Sequence, residues 1–540
     1  TKRILSLSLI TRPLARMHLV FVFCALLSAP GLAAEYLIKY NSTPKAMLWS
    51  SQAISMNNVA IKSHNATARL LKVDLPEDKQ VRAKILAKLL QEPTTEYIVP
   101  NFKLHAYTNS IEGQALKSQW HISKIRADKA WTLAGRGSRK VVVAVIDTGA
   151  DYNHESLKPN MIAGYNFRDK NSDPMDKTGL QNPGHGTHVS GIIGGTGLIE
   201  GGVVGVSPEV AIMPLKFLGE DGSGDLNSAI AAIDYAIEKK VDIIQASWGA
   251  TVTRSEAQPL VEAVKRADDA GIIFVVAAAN DGANNDKTEV YPANAGWPNM
   301  ISVGASGPND EKPAWSNYGL AKVHLAAPGQ DIMSSLPKNK YGNLSGTSMA
   351  TPVVAGIVAL LKSQDPKLTG EEARALLQAT GAKTSIQVAC NCRIDAAAAV
   401  ETLLNKKMFV APNALTLAID STQRFHGVNG IAPFKFSVDK TDLANIEQDG
   451  TLKALAKGEV IVTISDASGA TASTLPIRIG DTSSGSDPGD GGGKWPPIPG
   501  DPENPGDPGY PGTPGECPLG DPSLCEILCT IQPDLPFCKK

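Results

Sequence analysis

Residues 140–146 (Lys-Val-Val-Val-Ala-Val-Ile) form a near-continuous apolar run, the pattern of a strand covered on both sheet faces. Residues 210–216, 242–246, 272–278 and 300–303 read the same way. Between them, 226–239 and 260–270 carry apolar positions at helical spacing. Strand–helix–strand alternation across 109–405 predicts a parallel α/β sheet with right-handed crossovers. Upstream, 35–108 has the pattern of a small α+β unit. Its strands are predicted at 35–40, 71–75 and 97–101, and its helix at 78–90 with Val81, Ile85, Leu86, Leu89 and Leu90 apolar. Downstream, 409–480 changes to short alternating segments such as 459–464, broken by Gly-containing turns, which predicts a small β-sandwich. Residues 481–515 are dominated by Pro, Gly, Asp and Ser and cannot bury enough apolar surface to fold, so an extended linker is expected. Residues 516–540 hold four cysteines in a short span, the pattern of a disulfide-stapled module, with zinc binding as the alternative.

The first residues change this picture. Lys2, Arg3, Arg12 and Arg16 precede an apolar run at 19–27 and then Gly31-Leu-Ala-Ala34. That order marks 1–34 as a secretory signal peptide, the alternative being a buried N-terminal helix. The run is too short to span a bilayer comfortably, and no other segment is long and apolar enough to anchor in a membrane. An extracellular, bacterial location follows as the expectation. Of seven cysteines, removing Cys24 with the signal leaves six: 390, 392, 517, 525, 529 and 538. An even number in an exported chain favours disulfides, without fixing which pairs form. Apolar residues make up 42% of 540 positions, enough for a sizeable core, and a net charge of −2 offers no basic footprint for nucleic acid or acidic lipid.

Candidate chemistry sits in four local patterns. Val145-Ile-Asp-Thr-Gly149 places Asp147 where a buried parallel strand ends, and sites of open α/β sheets gather at such carboxyl ends. Taken alone, Asp147 is equally an ordinary strand-end carboxylate. Gly184-His-Gly-Thr-His-Val-Ser-Gly191 sets His185 between glycines that permit close backbone approach. An imidazole there suits a general base near neutral pH. A metal pair with His188 would need a third ligand that the sequence does not offer nearby, so His188 reads as structural. Asn343-Leu-Ser-Gly-Thr-Ser-Met-Ala-Thr-Pro352 puts Ser348 at the start of a helix through 353–361, with Pro352 expected in its first turn. The outward N–H groups of a helix start suit a developing oxyanion, although a serine near a helix cap needs no function. Asn280, after the apolar run 275–279, could donate its amide to the same oxyanion.

In the order Asp147, His185, Asn280, Ser348, these patterns resemble the subtilisin-like (subtilase) serine proteases, from about Gln119 to Leu404. The resemblance implies Ser348 as nucleophile, His185 as general base and then acid, Asp147 as orienting carboxylate, and Asn280 as oxyanion donor with the Ser348 amide. It implies that Ser247, Trp248 and Gly249 form a strand that pairs with substrate backbone. Residues 35–108 stand where the family carries an inhibitory pro-domain, which is cut off within 103–116; the alternative is a permanent accessory domain. Residues 409–480 resemble a bacterial Ig-like domain, open to a surface or glycan ligand or to service as a spacer.

Several positions depart from the family pattern. Ser156 stands where relatives carry a calcium-ligating Asp, and the Gly-rich loop 195–202 lacks the usual Asn, so that site is not expected here. A second, structural Ca2+ site is a candidate at Asp169, Asn171, Asp173 and Asp176, whose clustered oxygens suit the ion; a solvated acidic loop is the alternative. No cofactor is required for the chemistry. Ala279 replaces a glycine before Asn280, a change of one methyl expected to be tolerated. Cys392 stands where relatives have Gly, and pairs either with Cys390 or elsewhere. Val290 is expected near the floor of the P1 pocket with Glu289 beside it, favouring small or medium apolar residues. The function implied is a secreted serine endopeptidase made as a zymogen, acting on protein or peptide substrates through an acyl-enzyme. The competing readings are a pseudoprotease that only binds peptides and an adhesive protein whose C-terminal region carries the biology.

Overall fold

The first strands show how period-two patterning serves two partners at once. In the computed structural model, which describes residues 35–41, 59–107, 110–112, 119–480 and 517–538, strands β1 (Glu35–Tyr40), β2 (Ala60–Asn65) and β3 (Leu70–Asp74) join helix α1 (Lys79–Gln91) and strand β4 (Thr95–Pro100). The four strands form one antiparallel sheet in the order β2-β3-β1-β4. Asp78 caps α1 by accepting from Val81 N at 2.8 Å. Leu37, Tyr97 and Val99 point into a core shared with the larger sheet, while Tyr36, Ile38 and Ile98 face the other way. Two short segments follow, β5 (Lys103–Ala106) and β6 (Ser110–Glu112). The signal-peptide expectation for 1–34 and the linker expectation for 481–515 lie outside the described residues.

The run at 140–146 becomes β7 (Val142–Asp147), in the interior of a nine-stranded sheet. Helix α2 (His185–Gly194) follows it, then β8 (Ala211–Lys216), the short β9 (Ser223–Asp225), α3 (Leu226–Glu238), β10 (Ile243–Ala246), β11 (Trp248–Thr251), α4 (Arg254–Asp269), β12 (Ile273–Ala277), β13 (Met300–Ser306), β14 (Leu325–Pro328), β15 (Lys340–Ser345) and α5 (Thr347–Gln364). From β14 the sheet runs β13-β12-β10-β7-β8, every pair parallel, as the alternation predicts. Along β7, Val143 and Val145 pack towards α2 and α5, while Ala144 and Ile146 pack towards α3 and α4. Both faces are covered, hence the unbroken apolar run. The chain leaves β7 to one side for β8 and returns on the other for β10. Asp147 therefore ends at the point where strand order reverses, the crevice where such sheets bind ligands.

Residues 409–480 form short strands around a separate core that includes Val410, Phe425, Leu452 and Val462. The single strand expected at 459–464 is instead two, Gly458–Val460 and Val462–Ser465, in different sheets. The crossing residue, Ile461, gives its N–H to Asp439 Oδ1 at 2.7 Å, so no ladder partner is needed there. The six cysteines pair as Cys390–Cys392, Cys517–Cys525 and Cys529–Cys538, so the tail is stapled by disulfides and the zinc alternative falls away. Its helix, α6 (Pro522–Ile531), begins at the capping residue Asp521. Among the described residues, no helix is long and apolar enough to cross a membrane.

Of the buried histidines of the large domain, three are held neutral by their surroundings: His121, His188 and His324. Burial pushes His121 and His188 down to about 3, and holds His324 well below its usual value, with the Arg374 charge adding to the effect. Each is neutral in the fold. Below pH 6.5 the unfolded chain binds protons that the folded chain refuses, so stability is intact above 6.5 and declines towards pH 3, by about 1.4 kcal/mol per pH unit for each histidine. Urea midpoints should fall steadily from pH 6.5 to 4. His121→Leu should flatten that slope by about 1.4 kcal/mol per pH unit; an unchanged slope would mean that His121 does not titrate on unfolding.

Candidate active site

Asp147 and His185 meet in a buried corner, 0% and 1% exposed. Asp147 Oδ1 accepts from His185 Nδ1 at 2.7 Å and from Thr148 N at 2.7 Å. The glycine pattern is what permits this approach. Gly184 precedes α2 at φ +105°, a conformation that disfavours side chains. A methyl on Gly186 would lie 3.2 Å from Asp147 Cβ and would overlap Gly149 O. With Nδ1 bound to a carboxylate, Nε2 is left as the outward nitrogen, and it has no hydrogen-bond partner among the described residues.

Ser348 is the second residue of α5 and is fully buried. Its hydroxyl donates to Ser247 O at 3.0 Å rather than to His185. Pro352 is the sixth helical residue, beyond the first turn where it was expected. Lacking an N–H, it leaves the Ser348 carbonyl without its helical donor, and Ser247 Oγ fills the vacancy at 2.9 Å. Asn280 is held just as specifically. Its Oδ1 accepts from Thr347 N and Thr347 Oγ1, both at 2.9 Å, which orients the amide nitrogen away from α5.

That amide is engaged by the protein's own chain. Asn280 Nδ2 donates to Tyr107 O at 2.8 Å, and Tyr107 N donates to Ser247 O at 3.1 Å. The preceding residues, β5, are the middle strand between β9 and β11, antiparallel to both. Leu104 is fully buried, whereas Lys103 and His105 are exposed. Beyond the site, β6 pairs with β15, setting Ser110 against Ser345 and Glu112 against Asn343. The chain thus enters on one side of Ser348 and leaves on the other. Of the expected backbone-pairing residues, Ser247 holds Tyr107, while Trp248 and Gly249 pair with Ala106 and His105. The Trp248 indole turns into the core, where it donates to Ile146 O at 2.7 Å. Tyr107 Oη is buried and has no hydrogen-bond partner among the described residues, and its proton is held more tightly than usual by burial and then by Asp281. A methyl on Gly249 would overlap this ring and stand 2.6 Å from Tyr291 O. A large aromatic occupies this space. Val290 pairs through its backbone with Thr251, and Glu289 accepts from Arg254 N at 2.8 Å.

The four candidate calcium ligands are engaged with groups of the protein itself. Asp169 accepts from Asn166, Asn171 from the Asp173 backbone, and Asp173 from Tyr152 and Met175. Asp176 is buried apart from them. Its Oδ1 accepts from Asn182 Nδ2 at 3.0 Å, and its Oδ2 accepts from Thr187 N at 2.9 Å and Thr187 Oγ1 at 2.7 Å. No group of three or more His, Cys, Asp or Glu among the described residues could hold a metal ion. Asp176 instead supports α2. Through Asn182, whose Oδ1 accepts from Gly184 N at 2.9 Å and His185 N at 2.8 Å, it fixes the start of the helix that carries His185. Sequence reading missed Asn182, which lies two residues before the cap position, Gly184, where no side chain is available. At Ser156, the hydroxyl lies 2.7 Å from Tyr341 Oη, so a hydrogen bond stands where a ligand was not expected.

Against known proteins, the model of the Subtilase family matches residues 138–407. The major intracellular serine protease of Bacillus subtilis is 41% identical over 245 residues, which are 45% of this chain and 75% of that protein. Thermitase of Thermoactinomyces vulgaris is 36% identical over 268 residues, covering 49% and 89%. Subtilisin amylosacchariticus of Bacillus subtilis subsp. amylosacchariticus is 34% identical over 298 residues, covering 55% and 73%.

Substitutions at two positions test this architecture. Asp176→Asn should lower stability by about 2 kcal/mol, since a charged acceptor of buried donors is lost, with the same drop in calcium and in chelator; a drop confined to calcium-containing buffer would restore Asp176 as a ligand. Ala279 adopts φ +89°, a strain of about 1–2 kcal/mol for a residue with a Cβ. A buried methyl contributes about 0.8 kcal/mol in return, and glycine would add about 0.5–1 kcal/mol of chain entropy. Ala279→Gly should therefore shift the urea midpoint little, whereas Ala279→Val, β-branched at positive φ, should cost well over about 2 kcal/mol.

Proposed function

Because the chain belongs to the subtilase family and is a subtilisin-like serine endopeptidase, we propose that it is a secreted zymogen whose first substrate is its own Tyr107–Thr108 bond. The observation that carries this reading is the Tyr107 peptide group. Its carbonyl lies on the Asn280 amide and its N–H on Ser247, beside the Ser348 hydroxyl. Residues 35–107 are then the inhibitory pro-domain and its product end, with Tyr107 at P1, Ala106 at P2 and Leu104 at P4. Export is supported by the pattern of 1–34 and by six paired cysteines.

In the reaction, Ser348 Oγ turns from Ser247 O towards His185 Nε2 and attacks the Tyr107 carbonyl carbon as Nε2 takes its proton. Asp147 steadies the imidazolium through Nδ1. The tetrahedral oxyanion rests on Asn280 Nδ2 and the Ser348 N–H. Collapse breaks the C–N bond, and His185 returns the proton to the Thr108 amine. Water, deprotonated by His185, then attacks the acyl ester, releasing the Tyr107 carboxylate and restoring Ser348. The same groups act on other proteins once the site is vacated. Their extended segments would pair between β9 and β11, with an aromatic side chain against Gly249.

N-terminal sequencing of the secreted enzyme should give Thr108, and the Ser348→Ala chain should stay uncut there. On an aromatic-P1 peptide, Ser348→Ala should lower kcat by roughly 10^6 and Asn280→Ala by about 10^2–10^3, the losses seen on removing these groups in subtilisin. Gly249→Val should depress kcat/KM for aromatic P1 far more than for alanine at P1. Cleavage of casein by the Ser348→Ala chain would remove Ser348 as nucleophile. A wild-type chain that binds peptides without cutting them would leave only the pseudoprotease reading.

A further inference from the structure

The C-terminal module does not stand apart from the N-terminal unit. Leu524 and Leu528 of α6, both fully buried, join Leu519 and Phe537 in one apolar cluster with Leu86 of α1 and Ile98 of β4. This is the sheet face turned away from the protease domain. The geometry accounts for the need. Four strands at about 4.8 Å spacing are wider than one helix of about 10 Å diameter can cover. Among the described residues, α1 and α6 together cover that face. A polar contact fixes the register: Lys79 Nζ lies 3.1 Å from Asp521 Oδ2 and donates to Ser523 Oγ at 2.7 Å. The module also reaches the protease domain, since a methyl on Gly520 would lie 2.7 Å from Glu256 Oε1, at the start of α4, and 3.3 Å from Pro100 Cγ.

Connectivity gives this contact a consequence, which rests on the cleavage proposed above. Once the 107–108 bond is cut, residues 35–107 are a separate chain. The module remains covalently joined to the protease through 409–516. We infer that residues 517–538 are a tethered lock on the cleaved N-terminal unit: they grip its outer face while the protease domain grips its inner face and β5. Both grips belong to one molecule, so losing one leaves the other in place to recapture the unit. Two-point attachment of this kind slows dissociation by orders of magnitude without any new contact at the catalytic groups. Latency then persists after processing, for as long as the lock holds.

The full-length chain tests this. Peptidase activity is followed from the moment of processing, and size-exclusion chromatography follows how long the 35–107 piece travels with the enzyme. Leu528→Asp should leave the cleavage site, the processing rate and the final kcat/KM unchanged, yet shorten both the lag and the co-elution by about tenfold or more. Lys79→Ala, on an exposed residue of α1, should shorten them by a smaller factor and guards against misfolding of the tail variant. Equal release times for all three chains would overturn the lock. A chain that is not cut at 107–108 would instead overturn the reading on which the lock rests.

Discussion

The buried contact between Asp147 and His185 is the constraint on which the surrounding structure depends. A carboxylate taken out of water costs several kcal/mol unless donors meet it. Here the donors are an imidazole and the Thr148 N–H, and both must come within 2.7 Å of one oxygen. That distance dictates the rest. The segment from 147 to 149 and the first turn of α2 must touch backbone to backbone, so Gly149 and Gly186 have no side chain to spare. The start of α2 must not drift, so Asn182 accepts from its first N–H and Asp176 holds both Asn182 and Thr187. Lys216, buried beneath and donating to Thr148 O and Leu218 O, places a cation near Asp147 and Asp176 and closes the electrostatic balance of the corner.

A second constraint comes from unpaired strand edges. β9 and β11 face each other across a gap one strand wide, and edges left open invite any extended chain. The protein fills the gap with β5, which pairs with both edges as an extended substrate would on the reading proposed above. The main chain supplies most of the hold, through both ladders, while selection falls to the side chains that turn inward, Leu104 and Tyr107. Tyr107 is placed by backbone bonds on either side of its α-carbon. Its carbonyl therefore reaches Asn280 whatever ring it carries, and the ring tests the space beside Gly249.

Much of the protease domain was legible because its local signals agree with its fold. The run at 140–146 is apolar because both faces of β7 are covered, and the glycines around His185 are dictated by the approach just described. Less legible were features set by partners distant in sequence. Asp176 reads as one more acidic residue of a loop beside Asp169, Asn171 and Asp173, and only the fold turns it inward to Thr187. Pro352 reads as a helix-start proline, but the helix begins five residues earlier, and the missing bond is made good by Ser247, 105 residues upstream. The run at 459–464 alternates like one strand, yet Val460 and Val462 belong to different sheets, since Asp439 supplies the bond that lets Ile461 leave the ladder. Alternation records burial, and burial is the same on either side of such a crossing.

The N-terminal sheet carries this lesson furthest. Its strands are apolar on both faces, a pattern that in a free-standing unit would leave one face wet. Leu37, Tyr97 and Val99 need α3 and α4, while Tyr36, Ile38 and Ile98 need α1 and α6. Ion pairing follows the same division: Lys39 reaches Glu262 on α4 at 2.7 Å, and Lys79 reaches Asp521 beside α6 at 3.1 Å. A piece of about 70 residues buries too little surface alone to be robustly stable. Removed from the protease domain and the tail, it would expose both faces together. If residues 35–107 are the inhibitor proposed above, leaving the enzyme and losing structure are coupled steps, and an unfolded inhibitor beside an active protease does not return. Slow departure followed by irreversible loss is the behaviour expected of an inhibitor whose stability is lent to it by the molecule it inhibits.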